Sequence, residues 1–384
     1  MGNPNHTMRY RNFVAAILLA SLLILGLVIA IWLMSQSKYP LENIRHGYRF
    51  LKYKVVGIRP PEPSIAMDSA EIGKLLTLTS DESIHERRKT LKTAMRGAQC
   101  LFDTSITNTE EVESSDSEDA RIHSPTVLLI KLPFGFVSQG RFYVGTRPKG
   151  ILVFYNTGHS GLTEIGAKNI GILIREGFDV IALDMPLNGN NIRPTLSIDR
   201  VGKVTFTRHE QLSLLESKDF NPLVLFVEPI VCLVNHFTKA NGYKRIVQIG
   251  FSGGANTSTL SAALDSRIAK TYAVAGVSPQ YLRFASPITF HGDYEQAHKS
   301  ILDIASDLDL YVMAAYGKNR RYVQVFNKFD PCCYPGEAFN TYAPHIRDRI
   351  HSLGLGEFDV WLDESHFDHQ VSQWTLSKII SELS

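Results

Sequence analysis

The sequence predicts an α/β fold, a mostly parallel central sheet with helices on both faces, preceded by an N-terminal transmembrane helix. Three observations carry that expectation. From Gly150 onward strand-like and helix-like segments alternate. Residues 250–254 place Gly-Phe-Ser-Gly-Gly between an apolar run and a helical pattern, and residues 13–34 contain no charged side chain. At 384 residues, 44% hydrophobic and 20% charged, the chain is long enough for one large domain with extensions. A formal net charge of +2 gives no electrostatic reason to expect nucleic acid as a partner.

After a short tail, residues 1–12, the apolar run at 13–34 reads as a single-pass anchor in a lipid bilayer, because about 20 helical residues cross a hydrocarbon core. A cleaved secretory signal is the rival, but its apolar region has only about 7–15 residues. Arg9 and Arg11 precede the run, whereas Lys38, Arg45, Arg49, Lys52 and Lys54 follow it. Charge therefore leaves the side of the membrane open. The opening residues miss the myristoylation pattern, with His6 where Ser or Thr is required.

Residues 35–124 read as a linker and N-terminal extension. Up to residue 63 the chain is basic and aromatic and ends in Arg59-Pro-Pro-Glu-Pro, a stiff extended spacer. Residues 71–98 suit a helix, with Ile72, Leu75, Leu76, Ile84 and Leu91 on one face. Residues 103–124 set Glu110, Glu111, Glu113, Asp116, Glu118 and Asp119 among serines and threonines. That composition buries little and predicts a mobile loop.

The catalytic domain is expected at residues 125–384. Residues 126–132 and 141–146 read as a hairpin, and strands follow at 151–155, 180–183, 246–249, 271–275, 322–326 and 358–362. Between and after them, helical patterns occupy 161–176, 222–236, 255–268, 343–353 and 372–383. Such alternation gives a parallel sheet whose functional groups gather at the carboxyl ends of the strands.

The chemistry centres on Ser252. A strand that stops at Gly-x-Ser-x-Gly and turns directly into a helix forces its central residue into a strained position, and Gly250 and Gly254 leave room for strand and helix to approach. A lone serine hydroxyl is a poor nucleophile and needs a base, and the base needs an orienting group. Asp330, where the 322–326 strand runs out, is a candidate for the second role; Pro331 biases it away from helix. After the last strand, His366 and His369 both stand ahead of the closing helix. Position favours His369, next to the Ser372 cap, with His366 as the alternative base. An oxyanion needs N–H donors. The amides of Gly253 and of Ser160, in the Gly-His-Ser-Gly turn at 158–161, occupy the right places.

Other readings are weaker. Asp363, His366, Asp368 and His369 could be metal ligands, but no second cluster completes a site, so neither metal nor cofactor is expected. His159, His209, His236, His291 and His345 receive no role. Cys100, Cys232, Cys332 and Cys333 are too few and too irregular for a disulfide framework. The adjacent pair reads as small packed side chains rather than a vicinal disulfide. The aromatic segment 280–320 either covers a pocket or is packed structure.

From about residue 150 to the end, with Gly-Phe-Ser-Gly-Gly, Asp330-Pro-Cys-Cys and His369-Gln-Val-Ser in that order, the chain resembles the α/β-hydrolase superfamily, in particular its esterase-like members. The resemblance implies Ser252, Asp330 and His369 as the triad, selects His369 over His366, and implies a carboxylesterase acting on a small-molecule ester without cofactor or metal. A catalytically silent hydrolase fold used for binding, and an acyltransferase, are the alternatives.

Overall fold

The structure is a computed structural model that describes residues 40–60, 63, 67–96, 108–111, 125–240, 242–285 and 292–384. Residues 13–34, where the transmembrane helix was expected, lie outside that set. Among the described residues no helix is long and apolar enough to cross a membrane. The expected single-pass membrane localisation, with its bilayer contact, is corrected on that finding.

The chain divides into two units, Met1–Arg59 and Pro60–Ser384. In the first, the expected extended spacer is largely helical, Pro40–Phe50 running into a π-helical turn, Leu51–Val55. Pro40 opens the helix, where its missing N–H is not needed, and no further proline occurs before Pro60.

In the second unit, nine strands among the described residues form one sheet: β1 (Asn108–Glu111), β2 (Thr126–Lys131), β3 (Val137–Tyr143), β4 (Ile151–Asn156), β5 (Asp179–Leu183), β8 (Arg245–Phe251), β9 (Ile268–Val274), β10 (Arg321–Asn327) and β11 (Glu357–Asp363). A separate hairpin, β6 (Thr195–Ile198) and β7 (Gly202–Thr205), follows β5. The sheet order is β1-β2-β3-β5-β4-β8-β9-β10-β11. From β5 to β11 neighbours run parallel, and β1, β2 and β3 form an antiparallel margin joined to β5.

Side chains alternate across this sheet, so each face has its own core. Leu152 and Phe154 pack with the helices Val224–Ala240 and Gly253–Leu264, whereas Ile151, Val153 and Tyr155 pack with Glu164–Arg175 and Gln373–Leu383. Each such fully buried aliphatic side chain stabilises by roughly 1.5–3 kcal/mol. The chain leaves β4 toward β5 and then crosses back to β8 on the other side. That reversal opens a crevice at the carboxyl ends of β4 and β8.

The N-terminal extension differs from expectation in two ways. Instead of one helix over 71–98 there are two, Ser69–Lys74 and Asp81–Arg96. The break falls where Thr77 turns its N–H and hydroxyl to the buried Asp309 carboxylate, at 2.8 and 2.6 Å. The second helix buries Ile84, Leu91 and Met95 completely, and its Arg88 donates to Ala263 O at 2.8 Å, satisfying an orphan carbonyl at the end of Gly253–Leu264. The compact unit thus starts well before residue 125. Within the acidic stretch, residues 108–111 form an edge strand on β2, because ladder pairing uses backbone groups and leaves the carboxylates' sequence pattern unconsulted.

Candidate functional site

Ser252 sits between the end of β8 and the helix Gly253–Leu264 with φ 54° and ψ −128°, a conformation that L-residues avoid. Its N–H donates to Val274 O at 2.9 Å, and its carbonyl accepts from Ala255 N at 2.8 Å. Small neighbours make the turn feasible. A β-carbon added to Gly254 would lie 2.3 Å from Asn156 O, and one added to Gly276 would lie 1.8 Å from Ser252 O. The sequence reading named Gly254 but missed Gly276, which belongs to no local pattern and is fixed only by the approach of the chain after β9.

Asp330 and His369 arrive from the ends of β10 and β11. His369 Nδ1 lies 2.8 Å from Asp330 Oδ2, and a carboxylate only accepts, so Nδ1 carries a proton and, in the neutral ring, Nε2 presents its lone pair. That Nε2 is buried and has no hydrogen-bond partner, Ser252 included. The ring lies against Phe251, the residue before Ser252, with centroids 4.7 Å apart. Asp330 is buried and its Oδ1 accepts from the N–H groups of Cys332 and Cys333 at 2.8 and 3.0 Å. Those two cysteines form a vicinal disulfide, which corrects the expectation of packed free thiols. Pro331 starts a tight loop that turns both cysteine amides onto one carboxylate and brings the adjacent sulfurs together.

His366 is arranged differently. Its Nδ1 accepts from the Asp368 N–H at 3.1 Å, and its Nε2 faces Asp363 Oδ2 at 3.5 Å. Asp363 also accepts from Ser365 N–H and hydroxyl at 2.8 and 2.6 Å, from Thr375 hydroxyl at 2.9 Å, and from the Ser372 hydroxyl. His366 thus sits at the start of the last helix, its Nδ1 hydrogen-bonded and its Nε2 near Asp363 but without an aligned hydrogen bond.

The turn after β4 closes over Ser252. A β-carbon on Gly158 would come within 2.7 Å of Ser252 Cβ and 3.2 Å of its Oγ. Gly161 N–H turns back to Gly158 O at 2.9 Å, leaving the exposed His159 and Ser160 at the tip. Asp184, just beyond β5, holds the base of this turn, accepting from Thr157 hydroxyl at 2.8 Å and Arg141 Nη2 at 2.8 Å.

No family model and no curated protein matches the sequence. Solved structures do match its fold. A methylesterase aligns with a TM-score of 0.55 at 17% identity, covering 84% of this chain and 68% of its own. Acetyl xylan esterase 1 from Thermoanaerobacterium sp. aligns with a TM-score of 0.51 at 15% identity, covering 83% of this chain and 99% of its own. An acetyl xylan esterase from Paenibacillus sp. gives 0.50 at 16% identity, covering 82% and 99%. The fold is that of an α/β-hydrolase.

Within this α/β-hydrolase fold, residues 292–298, ahead of β10, pack beside the serine turn. Its Gln296 Nε2 donates to Gly276 O at 2.7 Å. The neighbouring Glu295 carboxylate, 4% exposed, lies 3.1 Å from His159 Nε2 and 3.1 Å from His209 Nδ1. His159 in turn reaches Gly253: a β-carbon there would meet His159 Cε1 at 2.7 Å. Burial alone would raise the Glu295 carboxyl, but the two imidazoles outweigh it and hold it at about 2. For His159, burial works downward and Glu295 more than offsets it, leaving the imidazole raised. Sequence reading assigned neither histidine a role, since 50 residues separate them from each other and no spacing links either to Glu295.

Proposed function

We propose that the chain is a serine ester hydrolase, a carboxylesterase that forms an acyl-enzyme on Ser252. The observation that carries this reading is the Asp330–His369 pair: the imidazole is held by Nδ1, and its Nε2 stays unengaged beside the strained serine turn. In the reaction, Ser252 Oγ attacks the ester carbonyl carbon while His369 Nε2 takes its proton, and the Asp330 carboxylate stabilises the imidazolium that results. The tetrahedral oxyanion accepts hydrogen bonds from the amides of Gly253 and Ser160. Collapse expels the alcohol, which takes the proton from Nε2. Water then repeats the sequence, with His369 as base, and releases the carboxylic acid.

The likeness of fold to structures named as methylesterase and acetyl xylan esterases supports a small-molecule carboxylic ester as substrate. Neither step draws on a cofactor. The deciding experiment is labelling with a fluorophosphonate, compared between wild type and Ser252→Ala. Labelling of wild type alone is expected. No labelling of wild type, or equal labelling of both, would remove the proposal.

A further inference from the structure

Beside the proposed catalytic pair stands a second group of imidazoles and carboxylates that the ester hydrolysis does not use. His209 is buried, and its Nε2 lies 2.8 Å from Pro186 O. A backbone carbonyl can only accept, so Nε2 must carry hydrogen. Its Nδ1 faces Glu295 Oε2 at 3.1 Å, and that oxygen also only accepts. His159 brings a second imidazole nitrogen to the same carboxylate, its Nε2 lying 3.1 Å from Glu295 Oε1 and 3.5 Å from Asp293 Oδ2. Glu295 Oε1 is buried and makes no aligned hydrogen bond. Two imidazole nitrogens and three carboxylate oxygens thus converge on one another, and what balances the carboxylates there is either protons on the rings or a bound cation.

We infer that His159, His209 and Glu295, with Asp293 at the open side, form a binding site for a divalent zinc ion. Two nitrogens and a carboxylate are a donor set zinc accepts, and the three ligand atoms lie within 4.8 Å of one another. With metal–ligand bonds of about 2.0–2.1 Å, tetrahedral ligand atoms sit about 3.3 Å apart; here His159 Nε2 lies 3.1 Å from Glu295 Oε1 and His209 Nδ1 lies 3.1 Å from Oε2. The Pro186 carbonyl fixes the His209 ring as outer partners of zinc-binding histidines do. His209 and Glu295 are buried, while the half-exposed His159 side chain and Asp293 leave a path for entry. The ion would tie the turn after β4 to the segment between β9 and β10, on either side of Ser252. This goes beyond the ester-hydrolase reading and does not depend on it.

The test uses the full chain, stripped with a chelator and dialysed against zinc chloride, with metal content and thermal unfolding as readouts. Wild type is expected to retain about one zinc per chain and to unfold at higher temperature with it. Glu295→Gln and, as a partly exposed position that tolerates truncation, His159→Ala are each expected to weaken zinc binding by at least about tenfold. A Cys332→Ser/Cys333→Ser variant should bind zinc as wild type does, which separates this site from reduced cysteines beside His369. Zinc absent from wild type after dialysis would overturn the inference, as would binding that survives in His159→Ala or disappears in the cysteine variant.

Discussion

Asp330 with His369 and Glu295 with His159 and His209 are built from the same two functional groups and differ in count and closure. Asp330 serves a single imidazole and takes its remaining hydrogen bonds from two backbone amides and the Asn327 side-chain amide, and the far nitrogen of His369 is left open. Glu295 is shared by two imidazoles, and the far nitrogen of His209 is closed off by Pro186 O. An imidazole with one nitrogen fixed and one open suits proton transfer. A carboxylate enclosed by two imidazoles suits the holding of a cation. Asp363 with His366 is a third case, in which both imidazole nitrogens face groups that stabilise the approach to the last helix.

The sharpest way to break the comparison is at the open nitrogen. His369→Ala is expected to lower kcat/KM for an activated ester by at least about 10⁴-fold, and Asp330→Asn, which favours the wrong tautomer, by about 10³–10⁴-fold. Equal losses in His366→Ala would reverse the assignment. That variant should instead stay within about tenfold of wild type per folded molecule, because a brace acts on stability and not on the barrier.

Next in size is the brace itself. Asp363→Asn leaves buried hydroxyl and imidazole donors poorly matched and should destabilise by about 2–3 kcal/mol, read by denaturant titration. Burial alone would raise the Asp363 carboxyl, but His366 and the Ser365 and Ser372 hydroxyls outweigh it and hold it well below the usual carboxylate range. Its stabilisation is therefore complete above the ordinary carboxylate pKa and fades as pH falls below that value. The gap between wild type and Asp363→Asn should narrow in acid. A gap that widens would show that the carboxylate is not the favoured form.

The smallest effect concerns strain. Ser252→Gly should stabilise the fold by about 1 kcal/mol, since glycine accepts φ 54° without penalty, while abolishing esterase activity. A lower melting temperature in that variant would mean that the serine turn carries no strain.

Much of this was legible in residue order. The alternation after Gly150 gave the parallel strands because buried strands read as apolar runs and their crossovers as helical periodicity. The serine turn was visible because its glycines are demanded locally. By contrast, the β6–β7 hairpin is too polar and short to stand out, and the edge strand at 108–111 is acidic. Helix formation at 40–55 was hidden by the basic, aromatic composition of that stretch, and the disulfide between Cys332 and Cys333 depends on a loop conformation that composition does not encode.

Sequence by itself determined the layered α/β class, the position of Ser252 at a strand's end, and the identity of the residues that follow β10 and β11, because each is a property of neighbours along the chain. Tertiary structure decided which histidine pairs with Asp330, that Gly276 must have no side chain, and that His159, His209 and Glu295 meet. Those outcomes depend on the direction of side chains from strands brought side by side, a relation that distance along the chain does not contain.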